Sequence, residues 1–162
     1  MEPLSPEELS AELERLAEEQ VRDRASEDED RAIRNRQRRE RVVSLYARGA
    51  LRSGQDFFYA ALIFLYGDEV AHFDLARTFA KHATTLGEMR AWFVIAAAWD
   101  RALLARGKPQ RFGTQFIREH GRLTLGRVDP RINDYQRAMY GVPPLWYQQQ
   151  NVEQLQRREE EF

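Results

Sequence analysis

The sequence has no cysteine among its 162 residues, has almost equal numbers of basic and acidic residues, and has no long apolar segment. The missing cysteine excludes disulfides, thiolate nucleophiles and cysteine-ligated metals. The formal net charge of −1 gives no general attraction to polyanions. The longest apolar run, residues 57–66, is about half of the length that a membrane-spanning helix needs. The first residues lack the basic and apolar regions of a signal peptide, so we expect a cytoplasmic protein without membrane contact.

The residues that are present are typical of a globular protein with a sizeable core. The hydrophobic fraction is 43% and the charged fraction is 31%. The length is that of one domain. We divide the chain into a charged N-terminal helical arm (1–41), a helical core domain (42–147) and a charged C-terminal helix or tail (148–162).

The N-terminal arm begins with a clear helix signal. Ser5, Pro6 and Glu8 have the pattern of a capped first turn, and leucines then recur at helical spacing. Residues 22–41 contain few apolar side chains, which indicates a solvated helix or a mobile hinge. The arginines of 31–41 are adjacent to acidic residues, so a self-neutralising helix is favoured over a nucleic-acid contact.

Three helices are predicted between residues 55 and 107, separated by short turns at Gly67 and Gly87. Periodicity makes 88–107 the most buried of these helices, with Trp92 and Phe93 in its apolar surface. The pattern is that of αα-hairpins similar to tetratricopeptide hairpins, although no repeat of fixed period follows. We therefore predict a mainly α fold, a helical bundle.

Two smaller elements are predicted to follow the bundle. Short alternating runs on either side of His120 indicate a small β-hairpin near 112–128. Asp129 and Pro130 have the pattern of a helix start, and we expect that helix to continue through Met139. A last amphipathic helix begins near Leu145. This helix and the one at the N-terminus carry leucine stripes that need a surface to pack on, which is either their own core, a partner protein or a second chain.

The segment GKPQRFGTQF, residues 107–116, is the main candidate for a site. It follows Asp100, a carboxylate on a largely apolar helix, and buried carboxylates need several hydrogen bonds or a cation. Asp100 either accepts backbone N–H groups of this loop and makes it a rigid corner, or serves as a base or anchor in a pocket. Arginine, lysine and amide side chains around it suit an anionic ligand. The candidate ligand-binding residues are Asp100, Arg101, Lys108, Gln110, Arg111, Thr114 and Gln115.

The same motif resembles an uncharacterised bacterial family of unknown function. Members of that family have Asp-Arg near the end of a helix, then Gly-Lys/Arg-Pro-Gln, an aromatic residue and Gly-Thr-Gln, as at 100–101 and 107–115 here. The later INDYQRAMYGVPPL also resembles the family's closing segment, and the resemblance covers roughly residues 15–147. The family often has tyrosine where this chain has Phe112, so a hydroxyl that acted there would be missing. The resemblance implies no activity.

No catalytic or metal constellation accompanies the loop. His72, His82 and His120 have no metal-binding spacing, and we expect neither a metal nor a cofactor. Two hypotheses remain. The first is a helical protein-interaction module that contacts a partner or itself through the terminal amphipathic helices. The second is a binding protein or enzyme for a small anionic molecule, with its pocket at Asp100, Arg101 and the 107–116 loop.

Overall fold

The computed structural model describes residues 2–161, and its fold is mainly helical with one small antiparallel β-hairpin. This confirms the predicted fold class. The elements are α1 (Pro6–Asp23), α2 (Arg31–Ala47), α3 (Gly54–Leu65), α4 (Val70–Thr85), α5 (Ala91–Ala105), β1 (Ile117–Glu119), β2 (Arg122–Thr124), α6 (Asp134–Met139) and α7 (Leu145–Glu160).

The larger core lies between α1, α3, α4 and α5, with α2 against its edge. Helices α3, α4 and α5 pack as consecutive neighbours, which is consistent with the expected tetratricopeptide-like hairpins. The turn after α4 is tight because Gly87 has a φ of 86°, a backbone conformation that favours glycine. Alanines of all three helices are fully buried where these helices meet.

Helix α1 is part of this core. Ser5 caps it in a capping box with Glu8, as predicted. Its leucine stripe, Leu9, Leu13 and Leu16, is buried in the same cluster as α3–α5. The stripe therefore packs inside the molecule. The predicted N-terminal arm shares a core with the helices that follow it.

Helix α2 is attached to α1 mainly through polar contacts. Arg38, which is 6% exposed, lies among Gln20, Asp23 and Asn35, and it donates hydrogen bonds to all three. Arg41 makes a two-pronged pair with Glu12 at 2.6 and 2.9 Å. A segment that hydropathy predicts as solvated or mobile is therefore folded on α1, because arginine and acid side chains pair across the two helices.

A second, smaller core lies beyond α5. Phe112, Ile132 and Val142 pack there with Ala96 of α5, and Trp99 and Tyr140 contact the cluster. The hairpin pairs Ile117 with Thr124 and turns at His120, close to where the sequence predicts it. Helix α7 covers this hairpin, with Val152 buried and the Gln156 amide accepting from the Leu123 N–H at 2.7 Å.

The start of α6 differs from the prediction. The helix begins at Asp134 and is capped by Asn133, which forms a capping box with Gln136. Asp129 does not cap a helix, because its carboxylate accepts from the backbone and guanidinium of Arg131. Two competing start signals stand four residues apart, and the second one is used.

The N-terminal end of α5 is also less buried than predicted. Trp92 is 36% exposed and Phe93 is 39% exposed, although Val94 and Ile95 beside them are buried. Only the side of this turn that faces α3 and α4 is covered. Among residues 2–161, no helix is both long enough and apolar enough to cross a membrane.

Candidate functional site

Asp100 is the centre of the predicted site, and it is completely buried. One carboxylate oxygen accepts from the backbone N–H groups of Arg111 and Phe112, at 2.7 and 2.9 Å. The other accepts from the N–H and the hydroxyl of Thr114, at 2.9 and 2.7 Å. Burial raises the pKa of the carboxyl, and the hydrogen bonds from the loop oppose that rise. Four donors occupy the lone pairs of the two oxygens, so Asp100 has no oxygen left for a ligand.

The two glutamines of the loop bind each other and the backbone. Gln110 is fully buried, and its amide group donates to the carbonyls of Gln115 and Leu125 at 2.9 and 2.7 Å. Its amide oxygen accepts from the Gln115 N–H at 2.9 Å. The backbone of Gln110 pairs with Arg127 and Asp129, so the side chain and main chain of this residue tie the loop to the segment after the hairpin.

Side chains that the sequence analysis did not select bind the carbonyls of the same loop. Arg137 of α6, which is 2% exposed, donates to the Phe112 carbonyl at 2.8 Å. Gln148 of α7 donates to the Gly113 carbonyl at 3.2 Å. Gly113 itself has a φ of 81°, a backbone conformation that favours glycine. Buried backbone without regular structure needs such partners, and here α5, α6 and α7 supply them.

The seven predicted residues do not meet at one point. Asp100, Gln110, Thr114 and Gln115 form the closed network, whereas Lys108 is exposed. The Arg111 guanidinium lies 4.7 Å from the centre of the Trp99 ring. The Arg77 guanidinium lies 3.9 Å from the centre of the same ring. Arg111 of the loop therefore stacks on an aromatic side chain of α5.

Arg101 connects this network to a cavity, because it binds Gln115 and also lines the cavity. Its Nε donates to the Gln115 side chain at 2.9 Å, and its Nη1 donates to the Leu65 carbonyl at the end of α3. Its guanidinium is 5.2 Å from the centre of the Tyr66 ring. Burial lowers the pKa of Arg101, and the nearby charge of Arg24 acts in the same direction.

This cavity, the arginine-lined cavity, has a volume of about 340 Å³ and lies where the end of α1, the start of α2 and the end of α3 meet. Its lining residues are Gln20, Asp23, Arg24, Arg31, Ala32, Asn35, Arg39, Tyr66, Gly67, Asp68 and Arg101. Arg24 stacks on the Tyr66 ring at 4.5 Å and donates to its hydroxyl at 3.3 Å. Two guanidinium groups therefore lie against one tyrosine ring.

The carboxylates near the cavity do not neutralise these arginines. Asp23 is engaged by Arg34 and Arg38, which lower its pKa to about 2. Within residues 2–161, no carboxylate lies at salt-bridge distance from Arg24, Arg39 or Arg101. Arg39 and Arg101 are partly buried, whereas Arg24 is exposed, and a partly buried cation without an acidic partner is suited to bind an anion.

An adjoining cavity of about 580 Å³ shares Ala32, Arg39 and Asp68 with the first one. It also contains Glu69 and His72, which form a three-residue group with Asp68. The Nδ1 atom of His72 accepts from the N–H groups of Asp68 and Glu69, at 3.2 and 3.3 Å. That lone pair is used to cap α4. The closeness of Asp68, Glu69 and His72 therefore follows from the way this helix begins, and we assign no metal to them.

The basic stretch 31–41 is largely engaged within the molecule. Arg34, Arg38 and Arg41 pair with acids of α1 or the loop that follows it. These pairs occupy half of the six arginines that would form a nucleic-acid surface. The contacts are those expected of a self-neutralising helix.

Comparison of the chain with protein-family models, curated proteins and solved structures found no match in any of the three. The family resemblance of the motif at 100–115 stays a prediction.

Proposed function

We propose that this chain is a helical protein-interaction module that associates with a second copy of itself. The contact surface that we assign is called the aromatic face. It consists of Met89 in the turn before α5, Trp92 and Phe93 in the first turn of α5, and Tyr135 and Met139 of α6. The observation that carries the proposal is the exposure of five large apolar or aromatic side chains in these two short segments.

The exposures are high for side chains of this kind. Met89 and Met139 are 72% and 62% exposed, and Tyr135 is 78% exposed. Aromatic residues and methionine are enriched in protein interfaces, because they bury much apolar area with few polar groups to desolvate. Singly exposed apolar residues need no explanation, but a cluster at the junction of two helices does.

A ring contact joins the two parts of the face. The rings of Trp92 and Tyr140 meet edge to face with centres 5.8 Å apart, and Tyr140 follows Met139 directly. Tyr140 also packs on Phe112, with ring centres 4.8 Å apart, and Phe112 is part of the corner held by Asp100. The aromatic face therefore packs on the corner that Asp100 holds, which favours a fixed contact surface.

Two considerations favour a second copy as the partner. The described face consists of uncharged side chains, so two copies related by a two-fold axis complement each other without charge matching. The chain also exposes 10043 Å² at a mass of 19.1 kDa. A compact monomer of that mass exposes about 8,400 Å². The excess is about twice the roughly 800 Å² that each partner buries in a standard interface, so it leaves enough surface for one.

The terminal helices contribute less to this proposal than their sequences suggest. The leucine stripe of α1 packs in the chain's own core, whereas α7 buries Val152 on the hairpin side and leaves Trp146 and Leu155 62% and 37% exposed. The alternative of a ligand pocket at Asp100 and the 107–116 loop has less support, because the Asp100 oxygens already accept four hydrogen bonds.

Sedimentation equilibrium over a concentration series of about 1–100 µM tests this proposal, since biologically useful self-association falls in or below that range. We expect a dimer for the natural sequence. The double variant Met89→Gln, Phe93→Gln removes apolar surface from the face, and glutamine is a good helix former at position 93 in α5. We expect it to weaken dimerisation at least about ten-fold.

Ile33→Gln is the matched control, because Ile33 is 53% exposed on α2, away from the aromatic face. It should dimerise like the natural sequence. A monomer at every concentration, or a dimer equally weakened by the control and by the double variant, contradicts the proposal.

A further inference from the structure

We propose that the arginine-lined cavity binds the phosphate group of a small phosphorylated molecule. The inference concerns Arg24, Arg39 and Arg101, and it does not depend on the aromatic face. It also differs from the anion pocket expected at the 107–116 loop, because Arg101 is the only residue of that expected site that lines this cavity.

The first argument is the imbalance of charge. Four arginines and two aspartates line the cavity, and one of the aspartates, Asp23, is already paired with Arg34 and Arg38. The other, Asp68, has a side chain that is 76% exposed and lies beside His72. The remaining cationic surplus is concentrated where α1, α2 and α3 meet, and a dianion offsets it better than a single negative charge.

The second argument is the orientation of the donors. Arg101 uses Nε and Nη1 for Gln115 and the Leu65 carbonyl, so the guanidinium is held rigidly at the cavity. Arg24 is held by stacking on Tyr66. Guanidinium groups that are held in this way lose little freedom on binding, and their planar donors match phosphate oxygens two at a time.

The third argument is space. The cavity of about 340 Å³ is at the small end of the range for ligand sites. The adjoining cavity of about 580 Å³ begins at the shared residue Arg39 and includes the apolar side chains of Val43 and Phe64. A phosphate in the first cavity therefore leaves room in the second for the organic part of the molecule.

The test is the shift of the thermal unfolding midpoint by inorganic phosphate, with sulfate and acetate as parallel probes at constant ionic strength. Constant ionic strength removes general screening from the comparison. We expect phosphate to raise the midpoint of the natural sequence in proportion to the logarithm of its concentration, and acetate to do so much less. Arg24→Gln and Arg39→Gln should each weaken the apparent affinity about ten-fold, because each removes a charged donor.

Arg22→Gln is the matched control: it makes the same change of charge two residues from Arg24, and Arg22 does not line the cavity. It should respond to phosphate like the natural sequence. The variants at Arg24 and Arg39 leave the hydrogen bonds of Arg101 to Gln115 and Leu65 in place, so we expect both variants to fold. The inference is overturned if phosphate has no effect on the natural sequence, if all three variants respond alike, or if acetate acts as strongly as phosphate.

Discussion

Asp100 lies fully out of contact with solvent, and the chain compensates for its burial with four hydrogen-bond donors from one loop. Such a carboxylate organises backbone that has no helix or strand partners of its own. The consequence is that residues 110–115 are held in place by side chains from α5, α6 and α7. This explains why a polar, glycine-containing segment is largely buried rather than exposed.

Asp100→Asn tests this role. Asparagine keeps the size of the side chain but places an NH₂ group where one carboxylate oxygen accepts from Thr114. The Thr114 hydroxyl can turn to accept from that group, but the buried Thr114 N–H loses its acceptor, so we expect the free energy of unfolding to fall by about 2 kcal/mol. Urea denaturation measures it.

Asp74→Asn is the control for that substitution, since Asp74 makes a surface pair with Arg106 and both side chains are at least 43% exposed. A surface pair contributes about 0–1 kcal/mol, so the control should change stability little. Equal losses for the two variants would show that Asp100 is no more important than a surface acid.

At the residue scale, the sequence predicts part of this arrangement. The polarity of Asp100 on an apolar helix indicates that it needs donors, and the adjacent loop was one of the two alternatives for supplying them. Arg137 and Gln148 were not predicted, because an arginine or glutamine in an amphipathic helix gives no sign of being buried. Their roles depend on how α6 and α7 cross the loop, which no local pattern encodes.

At the scale of elements, the junction of α1 with α2 is held by charges. Arg34 and Arg38 both bind the Asp23 carboxylate and lower its pKa to about 2. The pKa of an aspartate in an unfolded chain is about 3.9. Since the folded pKa is depressed, the stabilisation is complete above the unfolded value and is lost as the pH falls toward about 2. The junction should weaken in acid.

Asp23→Asn removes this titration. We expect the variant to be less stable than the natural sequence at pH 7, with the difference shrinking between about pH 4 and pH 2. Denaturant unfolding across that pH range measures the difference. Glu29→Gln, which removes an exposed carboxylate from the connecting loop, should leave the pH profile unchanged; a difference for Asp23→Asn that stays constant with pH would be incompatible with the ion pair.

Element boundaries were predicted where the signal is local. The capping box of α1 and the turn at His120 depend on neighbouring residues and are found as predicted. The predicted start of α6 is wrong, because the Asp129 carboxylate binds Arg131 and does not cap the first turn of a helix. The folding of residues 31–41 on α1 was missed because hydropathy does not register pairing between arginine and acid side chains.

At the scale of the whole molecule, α5 separates two cores. Ala91, Val94 and Ile95 face the larger core, and Ala96 faces the smaller one around Phe112. Because α5 contacts a core on each side, most of its circumference is apolar. The sequence therefore predicts the burial of α5 correctly along most of its length. It does not show that the first turn of this helix is covered on one side only. Trp92 and Phe93 are exposed for that reason.

Hydrogen–deuterium exchange of the natural protein at low and high concentration tests the central functional claim, that copies of this chain meet through the aromatic face. We predict that exchange slows at high concentration in segments 86–93 and 135–140 and stays the same in segment 31–41. Exchange that is independent of concentration in both face segments, or protection confined to α1 or α7, would contradict it.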